Sequence, residues 1–526
     1  MRPQPLILVI LDGFGVSREK EGNPLTEANL PVFNFLEKNF PFTLMQASGV
    51  AVGLPWGEAG NSEVGHLTMG AGRVIYHHLP RIIYSISDGS FFKNEALKKA
   101  AEQVRAHDSS LHLAGLVSSG SVHSYADHLY ALLDFAKQEE IPRVFLHVFT
   151  DGKDAPFKEG AGFLRGFEER ASKDWPQAHF ASVMGRFYAM DRDEKWERTK
   201  AAYELLTRGL GERIVSLPEY LEASYDRGVT DEFIEPAFRA DEKGEMPGRV
   251  RENDALVFFN FREDSMRQLA RAFAEENFGQ FERPKVENLQ LVTMTEYLKD
   301  LPLLAAFPAL DVTWPLARIL GESGIRHLHM AETNKYAHVT YFFNGGTEKP
   351  FPGEERILVP SLAGVSHYEE APEMKASEIA GKVLENFERY DFMVVNLANA
   401  DLVGHTGSYQ ACIRAAEALD GALKVMMEKV LASSGVMIIT ADHGNIELKR
   451  NPLTGERLTE HSLNPVPFYL VGKEFRLKAE RTEEEIARKK SEIPGILTDL
   501  APTVLELLGL RKPREMTGKS LLDILR

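Results

Sequence analysis

Leu6-Ile7-Leu8-Val9-Ile10-Leu11-Asp12 is a run of six apolar residues closed by an acid. A short continuous apolar run of this kind reads as a strand buried on both faces. The same pattern returns far along the chain, where Phe392 to Leu397 leads to Asp401 and Val436 to Thr440 leads to Asp442. Val/Ile/Leu-rich strands suit a parallel sheet covered by helices, and ligands bind beyond the carboxyl ends of such strands. The three acids are therefore expected to meet at one rim of one sheet.

Helical patterns separate the strands: Gln410 to Val430 carries apolar residues on one face, and Asp499 to Leu508 is terminated by Gly509. The middle of the chain repeats the alternation with Leu111 to Val117, Val144 to Phe149 and Leu256 to Phe261. It has the material for a second sheet and core. A chain of 526 residues exceeds a single core, so the reading is an α/β domain formed by both ends of the chain, with a second α/β domain inserted. The proline-containing crossings at residues 77–81 and 307–313 are where a hinge is expected. Lys473 to Lys490 mixes both charge signs and reads as a solvated excursion.

Composition narrows the partners. A net charge of −16 argues against nucleic acid or an anionic membrane surface, both of which reward a basic face. An anionic small molecule stays open, because a few local cations or metal charges dominate at contact distance. No early apolar run reaches the length of a signal-peptide core or a membrane span, so a cytoplasmic protein is expected. The single cysteine, Cys412, fits a reducing compartment and reads as a buried structural thiol.

The chemistry-bearing residues gather around the strand ends. Asp401 and His405 are four apart, Asp442 and His443 are adjacent, and His461 follows. Mixed carboxylate and imidazole ligands suit Mn, Zn or Co rather than a thiolate-bound structural zinc. Asp12, read alone, is a turn former before Gly13; beside the other acids it becomes a metal-ligand candidate, since crowded buried carboxylates need cations. Two metals would satisfy this set. Ser62, in Gly60-Asn61-Ser62-Glu63-Val64-Gly65-His66, reads locally as a helix N-cap. A serine at a helix start also presents its hydroxyl with backbone N–H groups directed at an anion, and a bound metal turns it into a nucleophile.

These segments resemble the cofactor-independent phosphoglycerate mutases of the alkaline phosphatase superfamily. The resemblance runs over nearly the whole chain and includes Val122-His123-Ser124, Phe149-Thr150-Asp151-Gly152, Gly185 to Asp193, Ala331 to Thr340 and Met516-Thr517-Gly518-Lys519-Ser520. It implies an alkaline-phosphatase-like parallel-sheet domain, residues 1–76 and 312–526, with a substrate-binding α/β domain inserted at 77–311. It implies one metal on Asp401, His405 and His461, and another on Asp12, Ser62, Asp442 and His443. Mn2+ is the expected ion, with Co2+, Zn2+ and Mg2+ as alternatives. His123, Lys153, Asp154, Arg186, Arg192 and Arg262 match substrate-contacting positions, and Lys335 matches one beside the transferred phosphoryl group.

The implied reaction interconverts 3-phosphoglycerate and 2-phosphoglycerate through a phosphoserine on Ser62, without bisphosphoglycerate. Asp154 or His123 is expected to handle protons, and the two domains to close over the substrate in a monomeric enzyme. A metal-dependent phosphohydrolase or another mutase on the same scaffold, acting for example on a sugar phosphate, and a non-catalytic phosphate-binding protein with a decayed site are the rival readings. Two residues depart from the family pattern, Lys153 and Ser265, each standing where an arginine is usual. Arg267 is the expected stand-in for the second.

Overall fold

The computed structural model describes residues 4–308, 312–362 and 367–525. The crossing expected at 307–313 therefore includes 309–311, which lie outside the described residues. The chain divides into two compact units, Met1–His77 with Leu310–Arg526, and His78–Ala309.

The first unit is built on an eight-stranded sheet. Leu6–Leu11 lies at its centre, between Phe392–Leu397 and Val436–Thr440, and pairs in parallel with both. All six residues of Leu6–Leu11 are fully buried, as continuous two-faced cover by helices requires. His327–Glu332 and Glu354–Val359 extend the sheet in parallel on one side. Val466–Val471 and Phe42–Gln46 continue it antiparallel on the other. Helix Tyr409–Ala432 covers one face with a stripe of buried alanines, leucines and methionines, and Cys412 is among them. Burial pushes the Cys412 thiol up to about 12, which suits an inert structural role.

The second unit has its own eight-stranded sheet, with Leu111–Leu116 between Val144–Thr150 and Ala255–Phe258, all parallel. Its cores lie on the two faces of that sheet. The third strand was expected to run to Phe261 but ends at Phe258. Asn260 there turns its side chain to accept from the Leu116 backbone N–H at 2.8 Å.

The segment at 473–490 holds a helical turn, Lys473–Phe475, and a helix, Glu483–Lys489, whose capping box pairs Thr482 with Glu485. Among the described residues no helix is long and apolar enough to cross a membrane.

Candidate active site

The parallel order of the central strands determines where the acids fall. Asp12 follows its strand directly, Asp442 comes two residues after Thr440, and Asp401 sits in the helix Asn399–Gly404 that follows the third strand. Gly13 makes the approach possible: it has φ +79°, and a side chain there would strike the Asp401 backbone at 2.7 Å. Gly65 allows the serine-bearing helix Ser62–Ala71 equally close to Asp442.

Ser62 is not the N-cap of that helix. Asn61 is, accepting from the Val64 N–H at 3.0 Å. With the capping role taken by its neighbour, the Ser62 hydroxyl is free to enter the cluster. Its Oγ donates to Asp12 Oδ1 at 3.0 Å and lies 3.1 Å from His443 Nε2. The Lys335 ammonium donates to Ser62 Oγ at 2.7 Å, to Asp12 Oδ1 at 2.7 Å and to Asp401 Oδ2 at 2.6 Å.

Burial opposes the ionisation of both acids. The Lys335 ammonium outweighs it, helped by hydrogen bonds from His443 to Asp12 and from His405 and His461 to Asp401, and holds each carboxyl well below the ordinary range. Burial likewise works against the charge on Lys335, but the facing carboxylates of Asp12, Asp401 and Asp442 raise it. For His443 the same contest, led by burial against the charge of Asp442, ends with the imidazole pushed up to about 9.

Two ligand sets converge here. His405 Nε2 and His461 Nε2 lie 3.2 and 3.1 Å from Asp401 Oδ1, and 3.0 Å from each other. Each ring is held by its other nitrogen: His405 Nδ1 faces the Thr459 carbonyl at 3.0 Å and His461 Nδ1 the Gly60 carbonyl at 2.7 Å. A carbonyl accepts only, so both Nδ1 atoms carry a proton; in the neutral rings, the form that binds a metal, both Nε2 lone pairs then point inward at the Asp401 carboxylate to which the charged rings donate. Lone pairs so opposed fit a shared cation. In the second set, Asp442 Oδ1 accepts from the backbone of Gly13 and His443, while its buried Oδ2 makes no hydrogen bond. Asp12, Asp401 and His443 also bring ligand atoms within 4.8 Å of one another. The donor types and the orphaned oxygen are consistent with divalent metal binding.

A third grouping, His327, His329 and Glu354, is different in kind. Arg356, Asn344 and the Phe351 N–H already occupy both oxygens of Glu354. It is a buried hydrogen-bond network.

In the second unit the remaining expected residues gather beyond the carboxyl ends of parallel strands, around a cavity of about 200 Å3. Arg186 donates to Asp151 at 2.7 Å, to Asp154 at 2.6 Å and to His123 Nε2 at 2.9 Å. Asp264 accepts from Arg192 at 2.8 Å and faces Arg262 at 3.1 Å. Burial, then the Arg186 charge, pushes His123 down to about 4. Because a guanidinium only donates, Nε2 is the acceptor and Nδ1 carries the ring proton, 3.1 Å from Ser265 Oγ.

Lys153 lines the same cavity. Arg267, the expected stand-in near Ser265, is instead turned to the Tyr297 carbonyl at 3.2 Å and to Glu263. The cation that sequence reasoning missed is Arg198, which lines the cavity, pairs with Asp191 at 2.9 Å and stacks 3.8 Å over Phe187.

Asn396 was missed too. It donates to Asp12 Oδ2 at 2.7 Å and to His66 Nε2 at 3.0 Å. An amide inside an otherwise apolar strand was the available signal.

Comparison with known proteins shows the family of the chain. The family model described as the BPG-independent PGAM N-terminus matches residues 82–299. A 2,3-bisphosphoglycerate-independent phosphoglycerate mutase of Moorella thermoacetica is 47% identical over 520 residues, covering 99% of this chain and 98% of that protein. The chain belongs to this family. The mutase of Clostridioides difficile is 44% identical and is covered over its full length. The crystal structure of a Leishmania mexicana phosphoglycerate mutase at low cobalt concentration is 29% identical, with a TM-score of 0.55, over 99% of this chain and 98% of that one. The 2,3-bisphosphoglycerate-independent phosphoglycerate mutases are isomerases, and the two-sheet α/β architecture is that of an enzyme of this family.

Proposed function

We propose that the chain interconverts 3-phosphoglycerate and 2-phosphoglycerate by moving the phosphoryl group onto Ser62 and back. The observation that carries this reading is the setting of the Ser62 hydroxyl, with Asp12, His443 and the Lys335 ammonium all within 3.1 Å. Ser62 Oγ attacks phosphorus as the bond to the glycerate oxygen breaks, and the proton lost from the serine hydroxyl is balanced by the one that Asp154 delivers to the departing glycerate oxygen. Lys335 follows the phosphoryl group with its charge, a compact donor suited to that task.

Asp401, His405 and His461 would hold one divalent cation, and Asp12, Ser62, Asp442 and His443 the other. Mn2+ is the first candidate and Co2+, Zn2+ and Mg2+ are alternatives. Such ions supply Lewis-acid charge that lowers the pKa of a bound hydroxyl.

The second unit is assigned to the glycerate. Arg186, Arg192, Arg262 and Lys153 provide the cationic face, and arginine forks suit a carboxylate. His123 is neutral and its Nε2 is taken by Arg186, so Asp154 is assigned the proton at the glycerate hydroxyls and His123 a binding role. Glycerate turns while bound, and its other hydroxyl takes the phosphoryl group from Ser62. The enzyme is further proposed to act as a cytoplasmic monomer on this small-molecule substrate, without bisphosphoglycerate.

Rapid quenching with substrate labelled in the phosphoryl group should put label on Ser62. Isomerisation at the wild-type rate by Ser62→Ala would refute the reading. A coupled assay for 2-phosphoglycerate without added bisphosphoglycerate separates a mutase from a phosphohydrolase.

A further inference from the structure

Lys449 is a lysine with no exposed surface, and neither the phosphoryl transfer nor the glycerate site uses it. An ammonium has three hydrogens to give. Those of Lys449 go to the Gly404 carbonyl at 3.2 Å, to the Glu460 carbonyl at 3.4 Å and to Asn445 Oδ1. The three acceptors stand on three separate stretches of chain. Gly404 immediately precedes His405, and Glu460 immediately precedes His461. Asn445 turns its amide hydrogens to Asp401, reaching Oδ1 at 2.9 Å and the backbone carbonyl at 3.2 Å. One buried cation thus ties the segment that carries Asp401 and His405 to the one that carries His461, and to the Asn445 amide that holds Asp401.

We infer that Lys449 is a positioning residue that fixes Asp401, His405 and His461 as one site and so sets that site's affinity for a divalent cation. The inference rests on the reading of those three residues as one cation site.

None of the acceptors of Lys449 is a carboxylate, so the ammonium is not there as the partner of an acid. Burying it is costly, and a methionine of similar length would fill the space without that cost. What methionine could not do is hold two backbone carbonyls and one amide at fixed distances from a common point. Two effects on the cation site oppose each other: the positive charge repels a second cation, and the fixed geometry removes the disorder that binding would otherwise have to quench. The Asn445 amide stands between the ammonium and Asp401, and among the described residues Lys449 alone joins the backbone next to His405, the backbone next to His461 and the amide on Asp401 at one point, so the geometric effect prevails.

The test uses the full chain stripped of metal and titrated with Co2+, read by calorimetry and by the visible absorption of the bound ion. Wild type and His405→Ala are titrated first. A Co2+ site that disappears with His405 identifies the Asp401 set; if none does, the assignment of that set fails rather than the role of Lys449. In Lys449→Met, affinity at the His405-dependent site should fall about 10- to 100-fold, the range seen when groups that orient metal ligands are removed. Its absorption should change in intensity, and the second site should stay within about threefold. Unchanged or tighter binding at the His405-dependent site would overturn the inference, and so would equal weakening of both sites. Lys449→Arg keeps the charge and changes its reach. Weaker Co2+ binding there supports positioning even if the methionine variant fails to fold, and wild-type binding refutes it.

Discussion

Lys335 Nζ lies 2.7 Å from Ser62 Oγ, and the same nitrogen bridges Asp12 and Asp401, one from each ligand set. A single ammonium therefore compensates two buried carboxylates and stands beside the nucleophile. Lys335→Met should lower kcat by about 10²- to 10³-fold, the scale for losing one preorganised donor to developing charge. It should also destabilise the fold by about 3–5 kcal/mol, because carboxylates left unpaired in the interior are costly. Denaturation with and without Mn2+ checks the second part: added cation should restore more stability to the variant than to the wild type.

The two ligand sets differ in exposure, and this predicts different consequences of removing a ligand. His405 is half-exposed, whereas Asp442 is fully buried with one oxygen free of hydrogen bonds. His405→Ala should release one metal ion per chain and leave the fold nearly as stable as before. Asp442→Ala should release the other and cost several times more stability, since it also strips the Gly13 and His443 N–H groups of their acceptor. Metal content by mass spectrometry, with melting curves on the same samples, tests both. Equal melting temperatures for the two variants would contradict the distinction.

The parts of this site that were legible in the sequence are those signalled by local pattern. Apolar runs ending in acids located Asp12, Asp401 and Asp442, because a strand buried on both faces must be continuous and a polar residue marks its end. The parts that were not legible are fixed by sheet order. Asn396 meets Asp12 across 384 residues of sequence, and nothing near either residue says that their strands are neighbours. Local pattern misled at Ser62, where Asn61 and Ser62 are both good caps and the tertiary demand on the Ser62 hydroxyl decides between them. It misled at Arg267 as well, because closeness along the chain says nothing about which side of helix Arg267–Ala274 faces the cavity.

Ser265, expected from the resemblance to stand where an arginine is usual, does something an arginine cannot: its hydroxyl lies 3.1 Å from His123 Nδ1, where it accepts the ring proton. Ser265→Ala should leave that N–H unpaired at a cost of about 1 kcal/mol, roughly a fivefold rise in KM for phosphoglycerate, with kcat moved much less. Ser265→Arg would set a second cation against a histidine that Arg186 already crowds. Steady-state kinetics on both variants decides; a fall in kcat with KM unchanged would assign Ser265 to the chemical step instead.

The buried histidines predict how the fold responds to acid. Burial lowers His123, His329 and His338 to about 4, and His128 and His327 to about 3. An unfolded chain takes up these protons near the ordinary value of about 6.5, and the folded chain does so only at 3 to 4. Between those limits the unfolded state binds more protons, so stability must rise with pH there. The contribution is complete above about 6.5 and is lost as pH falls towards 4 and 3. His128 gives the sharpest test. Neither of its ring nitrogens has a hydrogen-bond partner, and it packs edge-on against Tyr125 and Phe261 at 5.7 Å. His128→Phe keeps the aromatic packing and removes the proton linkage. Urea unfolding at pH 8 and pH 5 should show the variant more stable than wild type at both, with the larger gain at pH 5. An equal gain at both pH values would mean that His128 titrates alike in the folded and unfolded chains.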